Sequence, residues 1–306
     1  MTGDRTVQAV VLIVVAVGLL SAADAVVKLV SAQYSVWQIY TTRSVFSVAI
    51  LVALLAWSGE RWWVDVGRFW IMIRSALLTG MWIAYYFALP SMPLSVAATA
   101  LYTTPLFIAL LSSAIGREPV GVRRWAGILL GFAGVVVVLR PGAEDFSYWT
   151  LLPVVGAALY AVAAIVTRTR CAADSAQVLA LGLHLWLLAT GIAGTVAIMA
   201  FDPRPVDPFL LGRWMPMAAG DWLLMAGLGA VMVAVAISVA RAYQIGAPAT
   251  VGTFDYMYLV FSVALGIIVF GESPDGWTFV GILLIVAAGI IVLHRVAPRP
   301  VTAAGR

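Results

Sequence analysis

The stretch from Ala88 to Leu139 occurs twice in this chain, returning 154 positions later as Ala242 to Leu293. In that register Ala88 meets Ala242, Tyr102 meets Tyr256, Phe107 meets Phe261, Leu111 meets Leu265 and Glu118 meets Glu272. The run Gly127-Ile128-Leu129-Leu130 matches Gly281-Ile282-Leu283-Leu284 without a gap. Each copy reads as an apolar helix, a short Gly-Arg-Glu-Pro or Gly-Glu-Ser-Pro loop, and a second apolar helix. An offset near half the chain length signals two related halves, a plan shared by many membrane carriers.

The solvent follows from composition. Hydrophobic residues make up 63% of the 306 residues and charged ones 10%, with a mean hydropathy of +1.03. A water-soluble domain could not cover so much apolar surface, so the chain is expected to span a lipid bilayer many times. Its single cysteine, Cys171, excludes an internal disulfide and offers no metal cluster. The net charge of +4 does not signal nucleic-acid binding, because the arginines are spread over short loops. Arg5, the run from Val7 to Leu20, and Ala23-Asp24-Ala25 imitate a signal peptide. Retention is expected, because cleavage would leave the first half a helix short.

Windows of about 20 apolar residues place spans near 7–30, 36–57, 69–89, 94–115, 123–139, 148–168, 176–200, 219–242, 248–270 and 276–294. The expected fold is therefore all-α and integral to the membrane, with ten transmembrane helices as a 5+5 inverted repeat. The repeats are 1–145 and 146–306. With both termini in the cytoplasm, twelve loop arginines fall inside and three (Arg140, Arg204 and Arg213) outside. That bias sets the orientation. It also puts the Glu118 loop inside and its repeat partner, the Glu272 loop, outside. Equivalent loops on opposite faces require an odd number of helices per half, hence the inversion. Phe201 to Asp221 forms the longest outer loop, either lying on the membrane surface or simply connecting.

Ionisable groups inside the slab are costly and so are site candidates. Ser21, Asp24 and Lys28 form one polar stripe on the first helix, and Arg43 lies at similar depth on the second. They either serve solute coupling or neutralise one another and pin these two helices together. Asp255 on the ninth helix has His184 and Arg241 as conceivable partners, or it takes a solute amine or a proton. Arg74 is close enough to its helix end to reach the interface. Submerged aromatic residues are more telling: Trp82, Tyr85, Tyr86, Tyr102, Tyr160, Tyr256 and Tyr258. Tyrosine hydroxyls facing lipid would lose water without gaining partners, so most should face a cavity or another helix. Ser95, Thr99, Tyr102 and Thr103 share a face of the fourth helix, whose Pro105 allows a kink. The candidate solute contacts are Trp82, Tyr85, Tyr86, Thr99, Tyr102, Thr103, Tyr160, Asp255 and Tyr256. Asp24, Lys28, Arg43 and His184 are coupling or structural charges. No motif for hydrolysis, phosphate binding or a metal is present, so neither an enzyme nor a cofactor is expected.

Tyr86-Phe87-Ala88-Leu89 with Pro93-Leu94, Pro105-Leu106-Phe107, Gly116-Arg117-Glu118 and the Gly127 and Gly134 spacing resemble the EamA family of the drug/metabolite transporter superfamily. The second copy adds Arg241-Ala242-Tyr243, Phe254-Asp255-Tyr256 and Phe270-Gly271-Glu272. Leu259 departs from the pattern, where the family often repeats the proline seen at Pro105. The resemblance implies a bacterial inner-membrane carrier with a central cavity worked by alternating access. Its layout is most similar to the YddG-type exporters of aromatic and neutral amino acids. The leading expectation is thus export of amino acids or similar amphipathic metabolites. The alternative is a proton- or cation-coupled importer of a vitamin or nucleotide-like metabolite, of the riboflavin or S-adenosylmethionine type. A small-molecule solute and the bilayer are the expected partners, nucleic acid is not, and a monomer suffices.

Overall fold

The computed structural model describes residues 2–59, 62–115, 122–139, 148–201, 207–246, 251, 254–255 and 257–293. In those residues the chain forms helices joined by turns and irregular connections, with no strand among them. The helices are Thr2–Val30 (α1), Val36–Ser58 (α2), Trp62–Asp65 (α3), Phe69–Ala88 (α4), Leu94–Leu101 (α5), Thr104–Ile115 (α6) and Val122–Leu139 (α7). They continue with Leu152–Arg170 (α8), Ala176–Phe201 (α9), Pro208–Leu211 (α10), Ala219–Ile245 (α11), Met257–Phe270 (α12) and Gly276–Leu293 (α13). Six of the described helices (α1, α2, α4 with the turn after it, α8, α9 and α11) are long and apolar enough to cross a bilayer. Four shorter apolar stretches fall where the remaining spans are expected, around 94–108, 125–138, 257–270 and 276–288.

Local chemistry marks the ends. The Ser35 hydroxyl accepts from Gln38 N at the start of α2, and Gly59 ends that helix at φ 71°. Only a residue without a Cβ adopts that left-handed turn at no steric cost. Tyr102 and Thr103 form a turn between α5 and α6, so the predicted fourth span is broken. Pro105 has no N–H for the carbonyl four residues back, which makes a continuous helix unfavourable there. The described part of the loop after α9 packs against α2. Gln38 Nε2 donates to Met215 O at 2.7 Å while its Oε1 accepts from Met215 N at 2.9 Å, and Phe209 is buried.

Most helices are apolar on every side. Val7, Val11, Val15 and Leu19 of α1 face outward at four-residue spacing, whereas Ala9, Ile13, Ala16 and Val17 are buried. An apolar exterior of this kind suits lipid.

The main packing runs between the halves: α2 on α9, α7 on α13, α4 on α8, and α1 on both α11 and α12, with α6 against α8. Exchanging the two halves maps this set onto itself. α4·α8 becomes α11·α1, α6·α8 becomes α12·α1, and the other two pairs map onto themselves. Helices α7 and α13 approach through glycine. A Cβ on Gly281 would sit 2.7 Å from Gly134 O, and one on Gly134 would sit 2.8 Å from Gly281 O. Backbone oxygen cannot swing aside as a side chain can. Gly281→Ala is therefore expected to cost about 1–3 kcal/mol, the usual range for overpacking. The unfolding temperature of the detergent-solubilised protein reads this directly, and an unchanged value would contradict the close approach.

Candidate solute cavity and its charged neighbours

A narrow, partly open cavity of about 60 Å³ lies between the halves. It is lined by Val17 and Leu20 of α1, Arg74, Leu78, Met81 and Trp82 of α4, Leu101, Tyr102 and Thr104 at the α5–α6 break, and Tyr160 of α8. Leu183 of α9, Met232, Val235, Ala236 and Val239 of α11, and Asp255 complete the wall. The lining is mostly apolar with a few placed polar groups, the usual composition of a small-molecule site.

Trp82, Tyr102, Tyr160 and Asp255 are thus the sequence candidates brought together around this space. Tyr102 donates its hydroxyl proton to Asp255 Oδ1 at 3.2 Å, and Tyr243 donates to Oδ2 at 3.3 Å. Asp255 pairs with neither His184 nor Arg241; tyrosines hold it. The Tyr160 and Tyr243 rings meet edge to face, with centroids 6.2 Å apart.

Asp24 forms a second centre. Tyr86 donates to its Oδ1 at 3.0 Å and Tyr258 to its Oδ2 at 2.5 Å, while Tyr85 and Tyr258 share a hydroxyl–hydroxyl bond of 2.7 Å. The Tyr102 and Tyr258 rings stack with centroids 4.9 Å apart, joining the two carboxylate centres through aromatic contact. Each carboxylate is held by one tyrosine from each half.

Asp24, Lys28 and Arg43 make no direct contact with one another; Asp24 and Arg43 meet only through the Tyr86 hydroxyl. The polar stripe of α1 faces the second half instead: Ser21 bonds Ser262 at 3.2 Å, Asp24 takes Tyr258, and Lys28 Nζ meets Glu272 Oε1 at 2.6 Å. Lys28 also donates to Met92 O at 3.1 Å and lies over the Phe270 ring. Arg43 is fully buried; its Nη1 donates to the Tyr86 hydroxyl at 3.2 Å, and its Nε and Nη2 find no partner. Its guanidinium faces the rings of Tyr40 and Tyr86 at 5.6 and 5.8 Å, favourable cation–π geometry. His184 is buried with Arg43 as its charged neighbour, away from the cavity lining.

Other candidates fall elsewhere. Thr99 and Thr103 return their hydroxyl protons to the carbonyls of Ser95 and Ala100. The break at Tyr102–Thr103 resets the helical register, so Thr104 faces the cavity in their place. Tyr85 and Tyr86 serve the Asp24 centre, and Tyr256 lies outside the described residues. Besides Thr104, two residues were missed. Tyr243 was noted only within the repeated Arg241-Ala242-Tyr243 pattern, and its place near a helix end gave it no site role. Arg74, expected to reach the interface, is instead 4% exposed and lines the cavity. Its Nε donates to Thr167 Oγ1 at 2.7 Å and its Nη1 to Leu179 O at 3.1 Å.

On the opposite side from Lys28 and Glu272, Arg68 pairs with Asp174 at 2.6 Å, and Gln244 Nε2 donates to the carbonyls of Cys171 and Asp174. Burial pushes the Cys171 thiol up to about 11. At neutral pH it carries almost no thiolate, the reactive form. The native protein is expected to resist maleimide until unfolded; rapid labelling at pH 7 would refute this.

These features define a multi-pass helical membrane protein of the transporter class. Residues 7–140 match the EamA-like transporter family, so the first half carries an EamA-like module. A "Riboflavin transporter" of Vibrio cholerae is 29% identical over 245 residues, covering 79% of this chain and 78% of that protein. An "S-adenosylmethionine uptake transporter" of Rickettsia bellii is 22% identical over 274 residues, covering 90% of this chain and 89% of that protein. A crystal structure that is 21% identical aligns over 94% of this chain and 97% of its own, with a TM-score of 0.65, which speaks to the fold. These relatives carry vitamin and nucleoside-metabolite names rather than the amino-acid export expected from the layout.

Proposed function

We propose that this protein takes up riboflavin or a closely similar flavin across the bacterial inner membrane, by alternating access of the central cavity. It does so as an EamA-type carrier of ten helices in two inverted halves, 1–145 and 146–306, with both termini inside. The carrying observation is the lining of the cavity: an apolar and aromatic wall built from both halves, in a chain similar to riboflavin transporters along most of its length. A planar, amphipathic ring system stacks well on Trp82, Tyr102 and Tyr160. The two-fold packing pattern and the arginine bias support the inversion. Cysteines placed at Arg117 and Ser273 should label from opposite compartments against the silent Cys171 background; labelling from one side would end it.

Asp255 and Asp24, buried carboxylates held by tyrosines, are the groups suited to couple uptake to a proton. Reconstituted in liposomes, the protein is expected to move labelled riboflavin in preference to S-adenosylmethionine and phenylalanine. Flux should vary with pH, and that dependence should vanish in Asp255→Asn. Phenylalanine flux without riboflavin flux would return the reading to amino-acid transport. The second reading, S-adenosylmethionine uptake, is favoured by the relatives that bear that name.

A further inference from the structure

Two charged residues line the described cavity, Arg74 and Asp255. Asp255 is engaged at both oxygens by Tyr102 and Tyr243. Arg74 is different. Its contacts on Thr167 and Leu179 fix the guanidinium from α8 and α9, helices of the other half, and Thr167 is itself anchored to Ala163 O. Those bonds use Nε and Nη1 and leave Nη2 without a protein partner among the described residues. No carboxylate comes within ion-pairing distance of Arg74 there. Tyr160 is its electrostatic neighbour on the cavity wall and neighbours Asp255 as well. A buried guanidinium can only donate, cannot shed its proton, and is costly in a membrane interior unless something accepts from it.

We propose that Arg74 is a solute-binding, specificity-determining residue that donates to an acceptor-rich edge of the solute. Resting on the flavin-uptake reading, that edge is the carbonyl side of the flavin pyrimidine ring. The apolar end of the ring system then lies towards Leu78, Met81 and Trp82. A planar fork matches paired acceptors better than a point charge does, so lysine replaces it poorly. The fixed positive charge also opposes a cationic solute in a site of low dielectric. Arg74 thereby makes the cavity select a neutral, carbonyl-bearing heteroaromatic over a sulfonium compound.

The test is proteoliposome uptake of riboflavin, with S-adenosylmethionine as competitor, for the full-length wild type, Arg74→Gln and Arg74→Lys. Loss of one charge-assisted hydrogen bond predicts a roughly 10- to 100-fold rise in riboflavin KM for Arg74→Gln, with a much smaller change in maximal rate. Arg74→Lys should recover part of it. S-adenosylmethionine should inhibit Arg74→Gln about tenfold more strongly than the wild type. A residue that merely pins α4 to α8 would lower the maximal rate and thermal stability without favouring the cation, and Thr167→Val supplies that comparison. Wild-type riboflavin uptake with an unchanged KM and unchanged inhibition in Arg74→Gln overturns the role of Arg74 alone. Absence of riboflavin uptake by the wild type removes the flavin reading and this inference with it.

Discussion

Asp24→Asn is expected to destabilise the protein by about 3–5 kcal/mol, the range for removing one member of a buried charge pair. Arg43 is fully buried and uses a single nitrogen, Nη1, which donates to Tyr86. Tyr86 in turn donates to Asp24, so the two charges communicate through one phenol hydroxyl rather than by direct contact. Without the carboxylate, the guanidinium keeps only ring faces and a neutral oxygen as its surroundings. Arg43→Gln should be costly for the reciprocal reason. In Asp24→Asn/Arg43→Gln neither charge remains, so the combined loss should fall short of the sum by about 0.5–3 kcal/mol. Unfolding temperatures of the four purified proteins complete the cycle. Strict additivity would mean that Asp24 carries no charge at rest and that Arg43 is balanced elsewhere.

The second large effect concerns the fastening at the predicted outer face. Glu272 accepts from Lys28 Nζ at 2.6 Å and from Leu94 N at 2.9 and 3.1 Å through its two oxygens. It therefore ties α1 and the start of α5, both in the first half, to the end of α12 in the second. A carboxylate at a helix N-terminus also meets the positive end of the helix dipole. The Lys28 and Glu272 side chains are 16% and 13% exposed, so screening by water is reduced but not absent. Glu272→Gln removes the charge from both contacts. On the proposed alternating-access reading, a loss of about 2 kcal/mol, within the range for charge-assisted bonds, corresponds to a roughly thirtyfold shift towards an outward-open state. A cysteine placed at Leu20 on the cavity wall, read against the silent Cys171 background, should then label faster from outside. Equal rates in Glu272→Gln and its parent would show that this contact does not hold the outer side closed.

Several helix boundaries were legible because apolar length against a membrane is a strong signal. The expected 69–89 and 176–200 spans correspond to Phe69–Ala88 and Ala176–Phe201. The fourth span was misread in one respect. Pro105 marked a kink, yet placing Thr99 and Thr103 on the cavity face assumed an unbroken helix. The turn at Tyr102–Thr103 rotates the following residues, so Thr104 took that place. Arg74 was misjudged because its distance from a helix end suggests escape to the interface; Thr167 and Leu179 hold it inside. Lys28 was assigned to nearby charges because sequence proximity hides Glu272, which is 244 positions away.

Sequence alone determined the solvent, the duplicated plan and the kinds of polar group admitted to the interior. Each follows from local composition and from the expense of placing charge in hydrocarbon. Only the tertiary structure decided which groups meet. Helices that are apolar all round carry no pattern to tell a lipid face from a core face. On α1 the outward valines and the buried alanines look alike, and close approaches such as Gly134 on Gly281 fix the facing sides. The tyrosine-held carboxylates and the lining arginine arise from that choice of faces, because most of these contacts reach between the two halves.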